Sequence, residues 1–213
     1  MLAPLRKLVD GFGPAACVVL AIGGIVTLCG LFSQPPGSDP APDHRDIAFA
    51  PTPGGREIVF VGRGEGVRDL YRLDLGTGGV AAIARTPEFE QDPTVSPDGR
   101  LLAYAAMAPG ERRSRIYVRS LAGGEPRPLT ESAPPSAEAS AVSDAHPAFS
   151  PDGRHIAFAR AHRLEAVPGG HVWIEWDLYV VAVAGGEPRR LTEQRYLELM
   201  SPAWSGRGER LVY

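Results

Sequence analysis

The chain has 213 residues, with 22 Lys and Arg against 25 Asp and Glu, for a formal net charge of −3. That balance argues against a basic nucleic-acid binder, and a hydrophobic content of 44% argues against wholesale disorder. Only two cysteines occur, Cys17 and Cys29, so neither a disulfide framework nor a cysteine-built zinc site can be assembled.

In chain order, residues 1–14 form a short N-terminus that carries Arg6 and Lys7. From Ala15 to Phe32 the chain then runs 18 residues without a charge. As a helix that run is roughly 27 Å long, close to the ~30 Å hydrocarbon core. The sequence therefore predicts a transmembrane signal-anchor helix over residues 15–33. Arg6 and Lys7 before it and Asp39, Asp43 and Asp46 after it place the N-terminus in the cytoplasm and the remainder on the extracytoplasmic, periplasmic side. A cleaved secretory signal is the competing reading, but its apolar core is usually only about 7–15 residues long. No small-x-small cleavage site stands just after Phe32. Both readings export the rest of the chain. Residues 34–45 are Pro-rich and polar and read as a semi-extended linker.

Internal repetition dominates the exported part. VSPDGRLLAYAA begins at Val95 and is followed by RIYVRSLAGGEPRPLT, ending at Thr130. FSPDGRHIAFAR begins at Phe149 and is followed by DLYVVAVAGGEPRRLT, ending at Thr192. A looser copy, APTPGGREIVFVG then DLYRLDLGTGGVAAIART, ends at Thr86, and a fourth opens with WSGRGERLVY at Trp204. Taking Pro53, Pro97, Pro151 and Gly206 as equivalent gives periods of 44, 54 and 55 residues. Within each unit, short β-branched and aromatic runs alternate with Gly, Pro and Asp clusters, and Ser-Pro-Asp-Gly suits a type I turn. Four antiparallel strands per unit of this length make the blade of a β-propeller. The predicted fold class is all-β, a propeller over residues 46–213 after one N-terminal helix. Its blades fall at about 46–86, 87–130, 131–192 and, incomplete, 193–213.

The string P-x-F-S-P-D-G-R-x-I-A-F, then L-Y-V, then G-G-x-x-R-x-L-T, resembles the TolB-like (WD-repeat-like) β-propeller repeat. The resemblance is strongest over Glu90–Thr130 and Ala145–Thr192. Blade one departs from it with Thr52-Pro53-Gly54-Gly55, and blade four replaces Pro-Asp with Gly206-Arg207. The resemblance implies a bacterial cell-envelope propeller that binds proteins. It also covers propellers attached to peptidase and lyase domains, and fold alone does not choose between these.

Three blades and a hairpin do not close a ring, since closed propellers have at least four blades. The expectation is a fragment of a longer propeller, or two open halves that self-associate to close one ring.

The sequence offers no catalytic, cofactor-binding or metal-binding set. G-x-S-x-G, P-loop, H-E-x-x-H and EF-hand patterns do not occur. His155, His162 and His171 bracket an insertion in blade three, but loop histidines more often face solvent. One position recurs with polar residues: Asp46, Asp92, His146 and Ser201, each three residues before the apolar end of a first strand. Repeat symmetry predicts a partial polar ring near the mouth of the central channel, suited to a partner's Lys or Arg. The plainer reading has each residue capping its own loop. The insertion from Ala161 to Trp176 adds Trp173 and Trp176, one of which is a candidate binding anchor; the plainer reading is that they extend the blade hairpin and pack locally. The expected function is a membrane-anchored scaffold that binds a protein or peptide in the cell envelope, without nucleic acid and without catalysis. The alternative is the non-catalytic propeller of a longer peptidase or carbohydrate-active enzyme.

Overall fold

The computed structural model describes residues 18–22, 25–29, 48–64, 67–84, 86–130, 142–168, 170–197 and 201–213. Strands β1 (Val18–Ile22) and β2 (Ile25–Cys29) pair antiparallel, with Ile22 opposite Ile25. This departs from the helix predicted for residues 15–33. The strand-forming residues Val18, Val19, Ile22, Ile25, Val26 and Thr27 are β-branched, which costs side-chain freedom in a helix, and Gly23-Gly24 is a sequence suited to a two-residue hairpin turn. Among the described residues no helix is long and apolar enough to cross a membrane. The rest of the predicted span, the N-terminus and the linker lie outside the described residues.

The repeat region is all-β. Blade one comprises β3 (Phe49–Pro51), β4 (Glu57–Gly64), β5 (Val67–Asp74) and β6 (Val80–Ala84), hydrogen-bonded in that order. Blade two comprises β7 (Phe89–Val95), β8 (Leu101–Met107), β9 (Ser114–Ser120) and β10 (Arg127–Pro128). Blade three comprises β11 (Ser143–Phe149), β12 (His155–Val167), β13 (Gly170–Ala182) and β14 (Arg189–Arg190). A hairpin of β15 (Ala203–Trp204) and β16 (Leu211–Val212) comes last. Each pairing is antiparallel, and the first strands β3, β7 and β11 neighbour one another in turn. That arrangement is the inner wall of a propeller.

The repeated turns are built alike. Ser96 Oγ donates to Asp98 Oδ1 at 2.6 Å and accepts the Leu101 N–H at 2.9 Å, and Ser150, Asp152 and His155 repeat the pattern at 2.6 and 2.9 Å. Gly99 and Gly153 close these turns at φ of 73° and 68°, where a Cβ would be strained. The turns also touch across blades. A Cβ at Gly99 would lie 3.5 Å from Pro53 Cδ, at Gly153 3.7 Å from Pro97, and at Gly208 3.4 Å from Pro151. One stacking operation therefore relates each blade to the next. It survives the altered turn sequences of blades one and four.

Apolar residues fill the gaps between blades. Val59, Val61 and Leu70 of blade one pack against Leu102, Tyr104 and Ala106 of blade two. Ala103, Ala105, Ile116, Val118 and Leu129 of blade two pack against Phe149, Ile156, Phe158 and Val181 of blade three. The alanines leave room for the aromatic rings of the following blade, so large and small residues interdigitate. Within each blade an aromatic pair stacks across strands: Phe60 on Tyr71, Tyr104 on Tyr117 and Phe158 on Tyr179, at 5.7, 5.9 and 5.8 Å.

Candidate functional site

Two of the four predicted ring residues meet. Asp92 on β7 and His146 on β11 sit where the pairing with the second strand slips, between Gln91 and Thr94 and between Ala145 and Ala148. Both hold positive φ, 52° and 50°, and each precedes a buried proline, Pro93 or Pro147. L-residues avoid this region at a cost of roughly 1 kcal/mol, although Asp and His tolerate it better than most. The bulge turns both side chains off the regular alternation of the strand. Asp92 Oδ2 accepts the backbone N–H of His146 at 3.2 Å, and Asp92 Oδ1 lies 3.6 Å from His146 Nδ1. The side chains remain 16% and 27% exposed, so the pair keeps a face open to solvent. The carboxylate thus does cap a backbone amide, but one at the strand bulge of the next blade. Ser201 is exposed and again precedes a buried proline, Pro202. Asp46 lies outside the described residues.

Two residues before each bulge stands a buried acid. Glu90 is almost fully enclosed, accepts the Leu70 N–H of blade one at 3.0 Å and takes the Thr86 hydroxyl at 3.0 Å. Burial pushes its carboxyl up to about 7, against those two hydrogen bonds. Asp144 is the equivalent in blade three, and Arg160 grips it with Nε at 2.6 Å and Nη2 at 2.8 Å. The same guanidinium lies over the rings of Phe158 and Tyr179. Repeat alignment carries the signal for this layer, because acids stand at both positions; Arg160 has no counterpart, since blade two has Ala106 there.

Asp177 anchors the outer part of blade three. Its Oδ1 accepts the Thr192 hydroxyl at 2.8 Å and the Gln194 N–H at 3.1 Å, while Oδ2 takes Arg190 Nη2 at 2.5 Å. Burial pushes this carboxyl up, but the hydrogen bonds from Thr192 and Arg190 outweigh it and hold the acid below its ordinary range. His162 Nε2 lies 3.5 Å from Asp177 Oδ2. Burial and the nearby Arg190 hold that imidazole below its usual value. Asp177 opens an Asp-Leu-Tyr string that blade one repeats at Asp69, so the sequence marked the position without revealing its role.

The insertion is sheet. β12 and β13 run 13 residues each, and their pairing continues from His155 opposite Ala182 to Val167 opposite Gly170. Trp176 is opposite Ala161, is buried with Ala145, Ala159 and Leu178, and forms a bridge to Tyr196. Trp173 is opposite Leu164. His155 and His162 stand seven residues apart on β12, roughly 23 Å at strand rise, so they cannot share a metal. Among the described residues no group of three or more His, Cys, Asp or Glu side chains converges.

No protein-family profile matches the chain. A curated relative, an uncharacterized peptidase from Bacillus subtilis named YuxL, is 29% identical over 125 residues, which is 57% of this chain and 16% of the relative. Among solved structures, a TolB-type protein from Agrobacterium tumefaciens aligns with a TM-score of 0.56 and 18% identity, over 79% of this chain and 57% of that one. The structure of a nidogen/laminin complex aligns with a TM-score of 0.61 and 12% identity, over 91% of this chain and 64% of that chain. The chain thus spans less than two thirds of the length of each of these proteins. At such identities the likeness establishes the fold alone, a β-propeller like that of the TolB-type structure.

Proposed function

We propose that the chain is a recognition scaffold, binding a protein or peptide over the channel mouth through Asp92 and His146. One observation carries the reading: successive blades each hold a non-glycine residue at positive φ, and the two residues face each other on the inner strands. Backbone strain of this kind persists where the surroundings impose it, and it concentrates at ligand-contacting positions. Asp92 offers a carboxylate to a partner's Lys or Arg, and His146 offers a second polar atom beside it. Rigid inter-blade packing holds both, so little ordering is lost on binding. A nidogen/laminin complex among the structural neighbours supports protein recognition as a use of such a surface. The test pans the chain against a random peptide library, then repeats the titration with D92N and H146A. Enrichment of Lys- or Arg-bearing peptides, with affinity falling about tenfold in each variant, supports the reading. Peptides whose affinity ignores both variants contradict it.

The scaffold is proposed to work outside the cytoplasm, held to the membrane by the apolar N-terminal segment. The support is the charge-free run from Ala15 to Phe32 behind Arg6 and Lys7. A lone two-stranded hairpin leaves backbone groups unpaired, which hydrocarbon does not tolerate, so anchoring requires this segment to be helical in the bilayer. Carbonate extraction of the native membrane fraction tests it: retention in the pellet is expected, and release into the supernatant contradicts anchoring.

The second reading makes the chain the propeller portion of a longer peptidase, and the likeness to the Bacillus peptidase favours it. A reading frame that continues past Tyr213 into a G-x-S-x-G nucleophile turn would establish that reading.

A further inference from the structure

We propose that the seam between blades one and two is a proton-operated latch, closed while Glu90 holds a proton and opening as that proton passes to solvent. Thr86, Thr130 and Thr192 occupy one repeat position in blades one, two and three. In blade two the Thr130 hydroxyl accepts the Ile116 N–H at 3.0 Å, and in blade three Thr192 accepts the Leu178 N–H at 3.0 Å. Blade one departs from this. The Glu90 carboxyl of blade two stands between the corresponding groups, taking the Leu70 N–H on Oε2 and the Thr86 hydroxyl on Oε1, each at 3.0 Å. An acid of one blade thus completes the hydrogen bonding of another, where a neutral hydroxyl serves elsewhere.

The neighbouring seam shows what this acid lacks. Asp144 is the equivalent of Glu90 in blade three, and Arg160 neutralises it through two hydrogen bonds. Ala106 stands at the Arg160 position in blade two, and among the described residues no cation pairs with Glu90. Glu90 is only 1% exposed, so its charge has neither water nor a counter-ion. Burial is the largest influence on its proton and outweighs the two hydrogen bonds, which favour the charged form. Asp69, on β5, opposes ionisation more strongly than Arg119, on β9, favours it. Tyr104 on β8 and Glu88, just before β7, are the other titratable groups around it. Arg68 on β5 lies over the Phe89 ring, and Arg115 on β9 pairs with Glu111. On β11, Asp144 is held by Arg160 and His146 faces Asp92.

Closing the seam favours the protonated acid, and linkage makes the reverse hold: loss of the proton favours opening. In the opened seam Glu90 meets water and regains its ordinary 4.5, against about 7 when enclosed. The advantage of the closed form is complete below pH 4.5 and is lost as pH rises to about 7. Leu70 reports the change, because its N–H is bonded across the seam while those of Ile116 and Leu178 stay within their own blades. The latch lies between blades one and two, whereas Asp92 and His146 join blades two and three. It holds whether or not that second contact binds a partner.

The test follows amide-resolved hydrogen exchange of the full chain from pH 4.5 to 8, with each rate corrected for intrinsic exchange. Leu70 protection is expected to fall about tenfold per pH unit between pH 5 and 7 and then to level off, about 300-fold lower in all. Above that range Leu70 should be less protected than Ile116 and Leu178. E90Q should hold Leu70 protection constant across the series. Should E90Q fold poorly, D69N gives a second reading: with the neighbouring negative charge gone, the fall should level off at lower pH. Leu70 protection that ignores pH, or that keeps its slope in E90Q or its levelling point in D69N, overturns the proposal. Equal protection of Leu70, Ile116 and Leu178 at every pH also overturns it, assigning the opening to unfolding of the whole fold.

Discussion

The carboxylate of Asp92 accepts the backbone N–H of His146 at 3.2 Å, joining two inner strands through residues 54 apart in the chain. This contact and the positive φ of Asp92 predict opposite effects for two small substitutions. D92A loses the hydrogen bond and keeps the strain, so a loss of about 1–2 kcal/mol is expected in denaturant unfolding. D92G loses the bond but removes the strain, and it should recover about 1 kcal/mol of that loss. Equal stabilities of the two variants would show that the backbone at this position is not strained.

Glu90 makes stability depend on pH. Its folded pKa, about 7, lies above the ordinary 4.5, so the folded chain binds the proton more tightly than the unfolded one. The contribution is complete below pH 4.5 and is lost as pH rises through about 7. The loss is of order 3 kcal/mol for a group this buried. E90Q keeps the shape without the charge. It should flatten this part of the pH profile and raise Tm above pH 7 relative to the unmodified chain. An E90Q profile parallel to that of the unmodified chain contradicts the assignment.

The repeated turn serines should act independently. Ser96 and Ser150 each receive a backbone N–H at 2.9 Å in different blades, so S96A and S150A should each cost about 1 kcal/mol. The double variant should cost the sum within about 0.5 kcal/mol. A clear excess in chemical denaturation would show that the turns communicate through the blade stack.

Trp204 ties the last hairpin to blade three, its indole N–H donating to the Ala148 carbonyl at 3.0 Å. W204F should lower hydrogen-exchange protection over β15 and β16 while leaving β8 and β9 unchanged. Unaltered protection at β15 and β16 would mean that the hairpin is held by other contacts.

Much of this fold was legible in the repeated strings, because SPDG and AGGEPR mark turns and the intervening runs carry strand-forming residues. Blade equivalence even located Asp92 and His146 before any contact between them was visible. The Asp144–Arg160 pair was not legible, since Arg160 breaks the repeat and its partner lies on a neighbouring strand. Extension of the blade hairpin was the plainer reading of the insertion, and the continuous pairing of β12 with β13 past Ala161 and Trp176 bears it out. Over Val18–Cys29 hydropathy pointed to a helix, while β-branching and Gly-Gly favoured a hairpin. Apolar runs of this length do not separate the two by composition.

The most direct test of the proposed site is a double-mutant cycle on Asp92 and His146, read by calorimetric titration of a selected Lys- or Arg-bearing peptide. The account predicts that D92N and H146A together weaken binding by clearly less than the product of their separate effects, because both act through one shared contact. Independent multiplication of the two effects, or no effect from either, would contradict a joint site.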